Sequence, residues 1–398
     1  MYRIKCQLCG KSEWTDFSEI TFGLWHQVSH SLERQSNKYP LSRCNDCGHV
    51  QVSIEYTQSL FDQLYFHSAQ EAVMWDEEHV ISNVPYMDML NFSSPLILPN
   101  VIVDFGCGDG KLLKVAREIY PTSTLIGIDF NNRCDNESFE YISFNLNKLT
   151  NLNNSYWTDG IDFAVASHIL EHVLDPISFL TEIGKRLKKE GTLFVEVPDF
   201  SLEHPDTSIG MSNLVNLQHI HYFTLDSLAL AAKTSGLKLI KYQQFSTGYI
   251  PRLQVLLKRN DSSSDELLLP KNSPDPSSVI VKYQSKCKSL RLNLAECLIK
   301  SVQEEGKCGL WGIGADFCAL LNENPELDIL ISQKKLVLFD YNLKEYFYKN
   351  NIIQCSSEIE KFPYSVYMCP LLAETRLKMR EVSSKLNNVK DTFLSRND

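Results

Sequence analysis

Three groups of residues in this 398-residue chain combine types and spacing that could do chemistry. The first is Cys6-Gln-Leu-Cys9 with Cys44-Asn-Asp-Cys47, each pair followed at once by a glycine, Gly10 and Gly48. Two Cys-x-x-Cys knuckles supply the four soft donors that a tetrahedral zinc ion takes, and four thiolates leave no open position for catalysis. The expected metal is therefore structural. The second is Asp104-Phe-Gly106-Cys-Gly108-Asp-Gly110, an acid followed by alternating glycines. Glycine lets a backbone turn at positive φ and approach a ligand closely. The third is a set of histidines, His168 and His172 in one stretch and His219 in another, that could act near a bound ligand or move protons near neutrality.

The flanking sequence says what must position these groups. Val101-Ile-Val103 reads as a buried strand leading into the glycines, and Lys111 to Tyr120 as a helix with Leu112, Leu113, Val115, Ala116 and Ile119 on one stripe. Thr124 to Ile128 reads as a second strand ending in Asp129. An acid, a glycine turn, a helix and a second acid at the next strand tip form the nucleoside-binding half of a doubly wound sheet. Further strands are predicted at 139–144, 161–167, 192–198, 237–242 and 253–257. A helix is predicted over 177–189 and closed by Gly191. Ser167 and His168 then lie at the carboxyl end of a strand, where ligands of such sheets bind.

The third glycine of a dinucleotide fingerprint is replaced by Lys111. The run from Asp104 to Gly110 instead resembles motif I of the class I S-adenosylmethionine methyltransferases. That resemblance implies a class I Rossmann-like α/β sheet. It implies a turn of Gly106, Gly108 and Gly110 beside the methionyl group and Asp104 within the site. Asp129 would receive the ribose hydroxyls, Asn145 and Leu146 the adenine, and Ser167 and His168 the methyl-transfer end. A charge-assisted ribose bond is worth about 1.5–3 kcal/mol.

The order of modules resembles a narrower family, the three-domain sugar C-methyltransferases, which act on 4-keto nucleotide sugars. The shared features are the two knuckles, the connector with Ser68, Trp75 and His79, the class I core, and His219, Tyr222 and Phe223. The resemblance implies a zinc-binding module over 1–58, a helical connector or lid over 59–94, an S-adenosylmethionine domain over 95–260 and a C-terminal Rossmann-like domain over 278–398. It implies catalytic roles for His172, His219 and Tyr222 and a nucleotide-linked sugar as acceptor. Phe66, Asn216, Leu217 and Gln218 stand where the family carries tyrosine, tyrosine, histidine and glutamate. Glutamine takes no proton, so both carbon and oxygen remain open as the methylated atom. Glu171 reads as a hydrogen-bonding support. His49 reads as a surface residue or one behind the ligands, and His26 and His30 as exposed loop or helix residues.

In the C-terminal part, Gly312-Ile-Gly314 and a strand ending in Asp340 repeat the nucleoside pattern, with Phe317 at the third glycine position. The net charge of −10 argues against a general nucleic-acid partner. Two other readings stay open here, a zinc-ribbon RNA methyltransferase and a non-catalytic partner protein with the same fold. No apolar run reaches the ~20 residues of a membrane span. The N-terminus has no apolar signal core, and the twelve cysteines then fit a reducing compartment, so a cytoplasmic protein is expected. The oligomeric state is not encoded in any pattern found.

Overall fold

The computed structural model describes residues 2–28, 30–57, 60–61, 64, 84–93, 98–130, 138–153, 157–205, 214–248, 250–261 and 274–393. Phe66, Ser68, Trp75 and His79 of the connector lie outside the described residues. In chain order the strands are β1 (Trp14–Val28), β2 (Ser31–Cys44), β3 (Val50–Val52), β4 (Val101–Phe105), β5 (Thr124–Asp129), β6 (Glu140–Ser143), β7 (Ile161–Ser167), β8 (Leu187–Pro198), β9 (His221–Tyr222), β10 (Leu237–Phe245) and β11 (Arg252–Arg259). They continue with β12 (Cys308–Trp311), β13 (Leu336–Asp340), β14 (Phe347–Tyr348), β15 (Asn351–Ile352), β16 (Gln354–Cys355), β17 (Val366–Met368) and β18 (Val389–Lys390). The helices are α1 (Val84–Ser93), α2 (Lys111–Ile119), α3 (Pro176–Arg186), α4 (Leu225–Thr234), α5 (Pro276–Glu305), α6 (Ala315–Glu323), α7 (Glu326–Ser332) and α8 (Ala373–Ser383).

The central sheet has the order β10-β11-β8-β7-β4-β5-β6. Its pairs are parallel from β8 to β6, and β11 joins β8 and β10 antiparallel. The strand order reverses at β4, the position at which open α/β sheets bind ligands. The sequence explains the local choices. β4 and β7 are aliphatic because both faces of the sheet are covered. α2 buries Leu112, Leu113, Val115 and Ala116. α3 starts with Pro176 in its first turn and Asp175 as N-cap, accepting from Ser178 N at 2.9 Å.

Two expectations are corrected. The helix predicted to run to Lys189 ends at Arg186, and Gly191 lies within β8 rather than stopping the helix. A Cβ at Gly191 would stand 2.5 Å from Ile161 O, so that glycine permits close approach of β8 to β7. The segment between the knuckles, where His26 and His30 are read as loop or helix residues, is a long antiparallel hairpin, β1 with β2. His26 therefore lies on a strand, and His30 in the exposed turn at the hairpin tip.

That hairpin reaches two cores. Its base carries Ile20 and Leu41 into a cluster with Val50, Val52, Tyr222 and Ile280. Near its tip, Leu32 enters the core of the C-terminal unit, and Phe347 N donates to His30 O at 2.7 Å. Its sheet runs β15-β14-β2-β3-β9, so it takes strands from three stretches of the chain. Cys6, Leu8 and Cys44 are packed in the same cluster as Phe105 and Phe223 of the central domain. The C-terminal sheet, β16-β13-β12-β17-β18, is parallel throughout. No helix of the described residues is long and apolar enough to cross a membrane.

Candidate functional site

The four knuckle cysteines converge. Cys6 Sγ lies 3.6 Å from Cys47 Sγ and Cys9 Sγ 3.6 Å from Cys44 Sγ, with all four sulfurs within 4.8 Å of one another. A zinc–sulfur bond of about 2.3 Å in a tetrahedron requires sulfurs about 3.8 Å apart. Gly10 and Gly48 adopt φ 73° and 76°, and their amides donate to Cys6 O and Cys44 O at 2.8 and 3.0 Å. Burial pushes the Cys9 thiol up to about 11, and the neighbouring Cys6 sulfur pushes Cys47 further. A divalent cation among them reverses that preference by stabilising thiolates, so the donor set fits zinc.

The cleft at the carboxyl end of the central sheet is the second feature. It holds about 550 Å³ including its open mouth. It is lined by Gly106, Asp129, Phe130, Asn145, Leu146 and Asn147 together with Phe61, Ile169, His172 and Val173. The turn after β4 is fastened to β5 by Gly106 N and Cys107 N, which donate to Ile128 O at 2.7 and 3.2 Å. Gly108 N donates to Asp129 Oδ2 at 3.0 Å. Gly106, Gly108 and Gly110 stand at φ 84°, 54° and 73°. Added Cβ atoms at Gly106 and Gly110 would strike Ile169 and Phe139 at 2.0 and 2.1 Å, whereas at Gly108 no atom of the described residues lies within 4 Å. Packing thus accounts for two of the glycines. Asn145 caps the turn at 146–151 by accepting from Asn147 N at 3.0 Å. Asn147 in turn accepts from Leu174 N at 2.8 Å.

Asp104 is buried beside this turn, and burial followed by the neighbouring Asp129 charge pushes its carboxyl up to about 7. Ser167 Oγ donates to Glu196 Oε1 at 3.3 Å. His168 adopts φ 54°. Its Nδ1 is 3.2 Å from Glu171 Oε1 and its Nε2 is 3.2 Å from Glu196 Oε1. Burial works against its charge, but the two carboxylates outweigh it and raise the imidazole to about 10. The side chain is 37% exposed, so water screens part of that attraction. Asp104, Gly108, Gly110, Ser167 and His168 are not among the residues lining the cleft.

The predicted catalytic residues divide. His172 lines the cleft, and its Nδ1 donates to Gln218 O at 2.8 Å. His219 packs edge-on against it, ring centroids 4.8 Å apart, and its Nδ1 donates to Leu214 O at 2.8 Å. Burial, then the neighbouring His172, pushes His219 down to about 3, so it is neutral. Tyr222 is fully buried in β9. Its hydroxyl donates to Asn216 O at 3.1 Å and burial raises its pKa. The structure thus places Tyr222 behind the His219 loop rather than on the cleft.

The residues that depart from the family pattern have structural work here. Asn216 Oδ1 accepts from Gln218 N and His219 N at 2.7 and 3.3 Å, and Gln218 Nε2 donates to Leu64 O at 3.1 Å. Glu171 supports the site as expected: its side chain meets His168, and its carbonyl accepts from Ile220 N and His221 N at 2.8 and 3.1 Å. His49 is not at the surface. It is buried, and its Nε2 lies 3.1 Å from His221 Nδ1. Sequence reasoning missed Glu196, although an acid inside Leu193-Phe-Val-Glu-Val197 was a visible signal. It also missed Phe130, Asn147, Ile169 and Val173, which no local pattern marks.

A second turn of the same design follows β12, where Ile313 N donates to Asp340 Oδ2 at 2.8 Å. Phe317 fills the core there, which is why a glycine is not needed.

Residues 81–242 match the family described as a methyltransferase domain. Trans-aconitate 2-methyltransferase of Rhodopseudomonas palustris strain HaA2 is 25% identical over 107 residues, 26% of this chain and 41% of that protein. The enzyme of the same name from strain BisB5 is 26% identical over 113 residues, 28% of this chain and 43% of that protein. The chain therefore spans about two-fifths of the length of these curated relatives. Among solved structures, the 1,6-didemethyltoxoflavin-N1-methyltransferase of Burkholderia thailandensis, with bound 1,6-didemethyltoxoflavin and S-adenosylhomocysteine, aligns at 14% identity. That alignment has a TM-score of 0.37 and covers 55% of this chain and 99% of that one. An S-adenosylmethionine-dependent methyltransferase from Mesorhizobium loti aligns at 19% identity and TM-score 0.36, over 45% of this chain and 99% of that one. The sheet order, the turn joining β4 to α2 and the matched family agree: the central part of this chain, residues 81–242, is a methyltransferase domain of the Rossmann-like α/β class.

Proposed function

We propose that the whole chain is an S-adenosylmethionine-dependent methyltransferase whose acceptor is a sugar, specifically a nucleotide-linked sugar, and that Cys6, Cys9, Cys44 and Cys47 hold a structural zinc. The observation that carries the reading is one cleft lined by Asp129, Asn145, Leu146 and His172 together. The first three suit an adenosine, and His172 suits a proton. The sugar rests on the order of modules, from knuckles to class I core to second Rossmann-like unit. The trans-aconitate 2-methyltransferases matched over part of their length are also named for a small-molecule acceptor.

S-Adenosylmethionine supplies a methyl group on a positively charged sulfonium. The chain's own residues do the rest. Asp129 accepts from ribose hydroxyls, Leu146 and Val173 offer apolar faces to the adenine, and the Gly106–Gly110 turn leaves room for the methionyl group. Glu171 and Glu196 hold His168 as an imidazolium, and Arg252 lies 3.9 Å from Glu196, so the charges of this group nearly balance. His172 holds its hydrogen on Nδ1 toward Gln218 O, so Nε2 bears the lone pair that takes the acceptor's proton. Glu171 Oε1, 3.8 Å from that nitrogen, steadies the charge that results. One neutral imidazole suffices for a hydroxyl. The Gln218 side chain is bonded to Leu64 O and takes no proton, so we read the methylated atom as oxygen.

Labelled S-adenosylmethionine with a panel of nucleotide sugars and trans-aconitate tests this. Label is expected in a sugar, and His172→Ala should lose about 10²–10⁴-fold in turnover with S-adenosylmethionine affinity intact by calorimetry. Label in trans-aconitate alone would refute the sugar, and no cofactor binding would refute the enzyme.

A further inference from the structure

Glu171, His172 and His219 can each bring one ligand atom within 4.8 Å of the other two. Both imidazoles donate Nδ1–H to a backbone carbonyl, Gln218 O for His172 and Leu214 O for His219, each at 2.8 Å. Each therefore presents its lone pair at Nε2, the orientation that a carbonyl behind the ring imposes on a metal-bound histidine. Glu171 is 1% exposed. One of its oxygens meets His168, and the other, Oε2, has no hydrogen-bond partner among the described residues. A buried carboxylate oxygen without a donor is rare and costly; here it points to a positive ligand. Two imidazoles and one carboxylate suit a divalent transition metal and leave a position open. Bonds of about 2.1 Å would set tetrahedral ligands about 3.4 Å apart, so the trio must contract. His172, at the cleft wall with 23% of its side chain exposed, has the room to move.

We propose that Glu171, His172 and His219 bind one divalent transition-metal ion, and that the ion switches off proton transfer at His172. The second half rests on the reading of His172 as base. The physical reason is exclusion: Nε2 has one lone pair, and an ion that takes it leaves none for the acceptor's proton. This site is distinct from the four cysteines in donor type, nitrogen and oxygen against sulfur, and in charge.

The 398-residue protein, dialysed against a mild chelator so that only the thiolate site keeps its metal, is titrated with Co(II). The wild type should take up one further equivalent, with a weak d–d band and no added sulfur-to-metal charge transfer. Glu171→Gln and His172→Ala should each weaken that equivalent by at least tenfold; His172 is the more exposed and guards against a folding defect at Glu171. Co(II) or Zn(II) at one equivalent should lower labelled methyl transfer at least tenfold, and the chelator should restore it. No further equivalent in the wild type, or an equivalent that His172→Ala retains, overturns the site. A rise in turnover on adding metal overturns the inhibition. Metal binding as expected in a protein that methylates nothing leaves the site standing and removes the reading of His172 as base.

Discussion

Asp104 shows how much a single carboxyl can depend on its surroundings. It sits at the end of β4 with Asp129 nearby, and burial and that neighbour raise its pKa to about 7. An acid whose folded pKa exceeds its unfolded value favours folding while protonated. Its contribution is fully present below the unfolded value of about 3.9 and is lost as pH rises through 7. Asp104→Asn, which cannot ionise, should therefore gain stability over the wild type between pH 5 and pH 8. The gain should be about 1–3 kcal/mol, read from denaturant midpoints without cofactor. A difference independent of pH would mean that Asp104 is already paired when charged. The same scale explains why Tyr222 and His219 could be named from the sequence while their settings could not. Both are polar residues in an aromatic run, and only the surrounding strands decide that Tyr222 bonds Asn216 O and that His219 touches His172.

Elements were legible where local chemistry is complete. β7 has the bounds read from its aliphatic run, and α2 ends one residue short of the stretch read from its stripe. α3 fails at its C-terminus because Leu187 leaves the helix to pair with Ile161, a choice set by a distant strand and not by Gly191. The glycine turn offers a test at this scale. Gly110→Ala would put a Cβ 2.1 Å from the Phe139 ring at φ 73°. It should cost about 2 kcal/mol or more. Gly108→Ala meets no atom of the described residues within 4 Å, so it should cost only the left-handed backbone strain, about 1–2 kcal/mol, while weakening S-adenosylmethionine binding. Thermal unfolding and titration calorimetry separate the two. Equal losses of stability would contradict the packing argument.

At the scale of the molecule, the zinc-type knuckles are not a detached bead. Cys6, Leu8 and Cys44 share a core with Phe105 and Phe223, and β3 pairs with β9 through Val50 with Tyr222 and Gln51 with His221. The β9 strand follows directly on the loop that carries His219. Cys44→Ser, or removal of metal by a strong chelator, should therefore speed hydrogen exchange at His221 and Tyr222 as well as in residues 1–58. Faster exchange confined to residues 1–58 would show that the two units are energetically separate. The long helix α5 ties the ends together. Its first turns bury Val279, Ile280 and Tyr283 against the hairpin base, and its later turns bury Leu294 and Leu298 in the C-terminal core.

The sequence by itself determined the donors and the turns. Cysteine spacing, alternating glycines, acids after aliphatic runs and the cap at Asp175 are local, and local geometry follows from adjacent residues. It could not determine which distant groups meet. That Glu171 stands between His168 and His172, that Glu196 meets His168, and that the hairpin carrying His26 joins three stretches of chain all depend on sheet order and register. Those are set by burial summed over the whole chain, and no window of sequence contains that sum.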